Sequence, residues 1–111
     1  MAAVKNLYVD QGSDFNAEIT LYDYFNQPWN LASYTSVNAK IKKSYYSTNS
    51  VNFTATFVSD RTSGSILLTL SSSQTSSLEQ GRYLYDVVIT HLDGTKTRVI
   101  EGIVTINPGV T

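Results

Sequence analysis

Cysteine is absent from the 111 residues, which removes disulfides, thiolate nucleophiles and cysteine-ligated zinc together. Histidine occurs once, as His91, inside the turn-forming run His91-Leu92-Asp93-Gly94, where a solvated side chain is the default rather than a ligand or general base. The nine carboxylates are scattered singly, without the alternating acidic spacing of a calcium loop. Serine and threonine are plentiful but have no partnering base, and Gly12-Ser13-Asp14 reads as a turn and not as a nucleophile elbow. No catalytic residue, metal site or cofactor is therefore expected. Lysine and arginine never run longer than the pair Lys42-Lys43, and the formal net charge is −1. Neither gives the electrostatic footprint of a nucleic-acid binder. No stretch reaches the ~18 apolar residues of a membrane span, and the opening Met-Ala-Ala-Val-Lys-Asn carries no apolar core of signal-peptide length. A soluble protein made in a cytoplasm is the expectation.

What is present is alternation. Phe15, Ala17, Ile19 and Leu21 fall on one face of an extended segment, as do Val37, Ala39 and Ile41, then Val51, Phe53, Ala55 and Phe57, then Ile66, Leu68 and Leu70. This period of two is that of half-buried strands. The run from Val51 to Phe57 is expected to pair with the strand before it. Asp60 to Gly64 closes a second hairpin, and Asp93-Gly94 supplies the positive φ of a third and longest one. Leu7 to Val9 and the segment from Phe15 read as one first strand split by the turn formers at 10–14. Trp29 and Leu31, beyond Asn26 and Pro28, read as anchors folded back on the sheet. Ser71 to Gln80 has Ser or Thr at six of ten positions. That composition suits a single Ser-capped helical turn better than a full helix. No segment keeps a helical apolar period, so residues 1–111 are expected to form a single all-β domain. Its size fits an immunoglobulin-like β-sandwich of about seven to eight antiparallel strands.

The stretch from Ser77 to Ile89 orders the rest. Gly81 allows a tight corner, and Tyr83 then stands where a tyrosine corner places the ring whose hydroxyl bonds back to the backbone. Tyr85 takes the position of an antibody domain's second cysteine, and Val87 and Ile89 continue its inward face. Asp86 falls on the outer face. On the return strand, Gly102 is placed as a β-bulge would be, with Ile100 and Val104 on its face.

Leu84 and Val88, with Val99 and Ile103 on the return strand, give these two strands a second apolar face. Either the first strand or the Trp29 loop covers it, or another subunit does. Lys40, Lys42 and Lys43 read as a solvated strand face. The loop aromatics Tyr24, Phe25, Tyr45 and Tyr46 are candidates to stack on sugar rings, and a carbohydrate-binding module is the alternative they support.

In their order, Asp10-Gln11-Gly12-Ser13-Asp14-Phe15, Ile19-Thr20-Leu21-Tyr22-Asp23, Pro28-Trp29-Asn30-Leu31 and Val37-x-Ala39-x-Ile41 resemble the immunoglobulin-like N-terminal domain of phage baseplate upper proteins. Gly81-Arg82-Tyr83 and the ending Glu101 to Gly109 are similar to small virion proteins of tailed, cyanophage-type phages. The resemblance covers nearly the whole sequence. It implies a non-enzymatic virion component, assembled in the host cytoplasm, that packs on capsid, neck or baseplate. Baseplate upper proteins carry receptor-binding proteins on a further region, whereas this sequence stops at Thr111, so decoration or packing is implied rather than receptor carrying. The candidate partners are other virion proteins, a second copy of the chain and a host surface glycan.

Overall fold

The computed structural model describes residues 3–22, 25–43 and 50–109. Among them, nine strands form two sheets. The chain starts as β1 (Ala3–Val4) and β2 (Leu7–Asp10), then β3 (Phe15–Thr20), β4 (Tyr34–Lys42), β5 (Ser50–Asn52) and β6 (Thr54–Phe57). It continues as β7 (Ser65–Leu70), the short helix α1 (Ser72–Ser77), β8 (Gly81–His91) and β9 (Lys96–Asn107). The larger sheet runs β1-β9-β8-β4-β5, with β2 also on β9, and the smaller runs β3-β7-β6. Their inner faces meet in one core, whose fully buried members include Leu31, Ile66, Leu68, Val87, Ile89 and Val104. The fold is an immunoglobulin-like β-sandwich.

Local chemistry explains most of the elements. The Ser71 hydroxyl accepts the Gln74 amide while the Gln74 side chain accepts the Ser71 amide, a capping box that starts α1 directly after β7. Thr75, fully buried, fastens this helix to the 10–14 turn. Its hydroxyl accepts the Gly12 amide at 3.0 Å and donates to the Ser13 carbonyl at 2.9 Å. The Asp60–Gly64 hairpin and the Asp93-Gly94 turn both form, the second with Gly94 at φ 92° and a Gly94 amide bond to the His91 carbonyl.

Five expectations are corrected by pairing that the strands' own sequences do not contain. The segment from Val51 to Phe57 is two strands, because the chain changes sheets at Phe53. β5 pairs with β4, and β6 pairs with β7 across the sandwich. The split first strand likewise divides between sheets: β2 lies parallel to β9, whereas β3 is antiparallel to β7. The sandwich is thus not wholly antiparallel. The bulge is not at Gly102, which pairs regularly with Tyr85. It is at Val99, where Val87 opposes Ile100 and Val88 opposes Arg98, leaving Val99 as the extra residue. Val99 is accordingly only 4% exposed and belongs to the core, not to the outer face.

Gly102 is needed for a different reason. A Cβ built there would lie 2.1 Å from the Lys5 carbonyl oxygen, where the N-terminal strand crosses against β9 between β1 and β2. That carbonyl accepts the Tyr85 hydroxyl at 2.5 Å, and the Asn6 side-chain oxygen accepts the Ile103 amide at 3.2 Å. The kink in the edge strand is therefore satisfied from both sides. Replacing Gly102 by Ala is expected to force the edge strand away and cost about 1 to 3 kcal/mol, read as a lower urea midpoint. An unchanged midpoint would mean that β1 is not held in this place in solution.

Candidate interaction surface

The alternation of β8 fixes which of its residues look outward. Tyr85, Val87 and Ile89 are buried, so Arg82, Leu84, Asp86 and Val88 stand on the opposite side of the large sheet. Registers then assemble that face row by row. Lys42, Leu84 and Ile103 lie abreast, next come Lys40, Asp86 and Glu101, and then Asn38, Val88 and Arg98. Leu84, Val88 and Ile103 are half-buried among these longer side chains. The three remaining candidate interface residues thus share one surface, which Val99 leaves by way of the bulge.

The face has contributors that sequence reasoning missed. Val4, opposite Glu101, is 73% exposed, and Tyr8, opposite Thr105, is 67% exposed. Both belong to the first strand, and only its pairing with β9 brings them here. Alternation within β2 could have identified Tyr8 as outward, but not the sheet it joins. Covering by that strand does not occur, because it extends the sheet sideways. Nor do Trp29 and Leu31 reach the face. Trp29 packs edge-on against Tyr34 at 6.1 Å between ring centroids, at the far end of β4, and Leu31 is buried beside it. Among the described residues no element lies over the outer face.

Its centre is charged. The Arg98 guanidinium lies 3.2 Å from the Asp86 carboxylate and 3.7 Å from that of Glu101. Such exposed pairs add little stability but hold the three groups in register. With Lys40, Lys42 and Leu84 they line a depression of about 270 Å³. The face thus sets a few aliphatic side chains on either side of an ordered charged cluster.

The corner at the start of β8 forms as expected. Gly81 has φ 131°, and the Tyr83 hydroxyl donates to the Glu79 carbonyl at 3.0 Å. The Lys43 ammonium sits over the Tyr83 ring, 4.7 Å from its centroid. This corner fixes where β8 begins, and hence the register of the outward residues.

The glycan-facing set fares differently. Tyr24, Tyr45 and Tyr46 lie outside the described residues, while Phe25 is 82% exposed. The residues flanking the two aromatic loops lie at opposite ends of the sandwich. Leu21 and Trp29 bond near Gly64 and Arg61 at the Tyr34 end, whereas Lys43 lies beside Tyr83 at the other. At the Tyr34 end, His91 packs edge-on against the Tyr34 ring at 5.2 Å and accepts the Asp93 amide through Nδ1. Bonds from Thr95, and secondarily the nearby His91 ring, hold the exposed Asp93 carboxyl below its usual range. These contacts brace a turn.

No family model matches this sequence, and no curated protein matches it. Among solved structures, the chain is similar to an internalin-like protein of Listeria monocytogenes, with a TM-score of 0.53 and 21% identity. That match covers 96% of this chain and 28% of the other, so the chain spans less than a third of that protein's length. Murine CRIg matches with a TM-score of 0.45 and 11% identity, over 95% of this chain and 92% of the other. The first likeness bears on the fold alone.

Two outcomes test the corner and the strand that follows it. Tyr83→Phe, which deletes one hydroxyl, is expected to cost about 1 kcal/mol in denaturant unfolding, and a neutral result would leave the Glu79 bond without a stabilising role. Burial pushes the Tyr85 hydroxyl up to about 12, so the unfolded chain loses this proton first. Stability is then complete below pH ~10 and is lost as pH rises towards about 12. Unfolding midpoints of the native chain should fall more steeply across that window than those of Tyr85→Phe. Parallel decline in the two would show that this hydroxyl does not titrate late.

Proposed function

We propose that this domain is a non-enzymatic structural subunit of a tailed-phage particle, packing against neighbouring particle proteins through the outer face of its large sheet. The observation that carries the reading is that face itself. Leu84 and Ile103 lie side by side and Val88 stands beyond the Asp86–Glu101 row, with Val4 and Tyr8 exposed on the edge strand, and no described element covers them. Aliphatic groups left together on a sheet gain by association, each fully buried side chain contributing about 1.5 to 3 kcal/mol. The ordered motifs shared with baseplate upper proteins and small virion proteins supply the setting. The low charge, 15% of residues, suits close packing against neighbours better than long-range steering.

Reconstitution tests the proposal. Particles prepared without the protein are incubated with the native chain or with Leu84→Thr/Ile103→Thr, which places strand-favouring β-branched side chains at both positions but removes most of the aliphatic surface. Uptake of the double variant is expected to fall at least about tenfold, the equivalent of ~1.4 kcal/mol, with its unfolding midpoint little changed. Equal uptake of both proteins would overturn the proposal.

A further inference from the structure

The charges on the outer face are not balanced. Five of the chain's eight lysines and arginines stand on it: Lys40, Lys42, Arg82, Lys96 and Arg98. Of the eight carboxylates among the described residues, only three do, namely Asp10, Asp86 and Glu101. The face thus has two positive charges in excess, on a chain whose formal net charge is −1. Two of its carboxylates are already engaged by Arg98. Lys40, Lys42, Arg82 and Lys96 make no ion pair among the described residues. The outer face of the small sheet is the reverse, a threonine-rich surface whose one charge is Glu18. The asymmetry follows from placement, since the other described carboxylates fall on that opposite face, in turns and in loops.

We infer that the partner of the large sheet's outer face is a protein surface of net negative charge that also carries apolar groups, and that a second copy of this chain is not the partner. The inference rests on the reading that this face docks at all, and adds the chemistry of what it meets. Two copies joined face to face by a two-fold axis would oppose like-charged surfaces, because an isologous contact matches a patch with itself. An acidic surface instead pairs with these four cations, which no described carboxylate engages, while Leu84 and Ile103 on one side of the Asp86–Glu101–Arg98 cluster and Val88 on the other supply the apolar contacts. Nucleic acid is disfavoured by the same map. Asp86 and Glu101 occupy the middle of the face, where a phosphate backbone would meet carboxylates, and Leu84 and Ile103 offer it no hydrogen bonds.

The test uses the isotope-labelled full chain and amide chemical shifts, with two probes: a short peptide in which glutamates flank a Leu-Tyr centre, and its lysine counterpart. The acidic peptide is expected to shift amides along β4, β8 and β9 in a saturable way. Its affinity should fall at least fivefold in Lys40→Glu/Arg82→Glu. It should also fall when salt is raised from about 0.1 M to about 1 M, which shortens the screening length from about 10 to about 3 Å. The inference is overturned by equal binding of the lysine peptide, or by tighter binding of a short DNA duplex to the same amides. A concentration-dependent dimer in sedimentation that the Leu84→Thr/Ile103→Thr variant abolishes would overturn it as well. Particle uptake separates the two levels. If Lys40→Glu/Arg82→Glu loads as the native chain does while the Leu84/Ile103 variant is excluded, the charge inference fails and the docking reading stands. If both variants load normally, the docking reading falls and the inference with it.

Discussion

Opposite the two residues Val87 and Val88, β9 passes three: Arg98, Val99 and Ile100. That one extra residue decides the character of both faces of the large sheet. Without it, strict alternation would put Arg98 and Glu101, three positions apart, on opposite sides. With it, Val99 and Ile100 both turn inward, and Arg98 and Glu101 both turn outward, within reach of Asp86. The core gains a valine and the surface gains an ordered cluster of three charges. An odd residue in a ladder leaves part of its hydrogen bonding unmade and bends the strand, and here it re-aims side chains in the way bulges do.

The N-terminal strand is the second constraint. A first strand lying on β9 at the sheet edge, rather than across the sheet, is what leaves Leu84, Val88 and Ile103 uncovered by it. Its place is set by a carbonyl, that of Lys5, which enters the space left by the missing side chain of Gly102 and receives the Tyr85 hydroxyl. Position 85, where an antibody domain holds a disulfide cysteine, therefore ties down the edge of the sheet by a hydrogen bond in a chain without cysteine. Asn6 completes the arrangement by supplying the acceptor that the kinked backbone withholds from Ile103.

These two constraints connect packing to function. The bulge sets which charges face out, and the edge strand adds Val4 and Tyr8 to their side of the sheet. The tyrosine corner fixes the register of β8 beneath them, through the Tyr83 hydroxyl and the Glu79 carbonyl. The residues of this surface all come from strands.

Period-two alternation is a local property, so the amino-acid sequence alone identifies most extended segments and their inward faces, the Ser-capped turn at Ser71 and the corner at Tyr83. Each depends on residues within a few positions of one another. Which strand lies beside which depends on contacts between residues far apart in the chain, and there the reading went astray. Val99 was assigned outward because its parity with Ile103 is unbroken in sequence, and a bulge becomes visible only when the opposing strand is present to count against. Gly102 was correctly singled out, but for a bulge, since the carbonyl that excludes its Cβ comes from Lys5, ninety-seven residues earlier. Strand identity was written in the order of the side chains. Sheet membership, and with it the exposed face, was decided by the tertiary structure, because a hydrogen-bonded ladder is completed only by a partner that the strand's own sequence does not name.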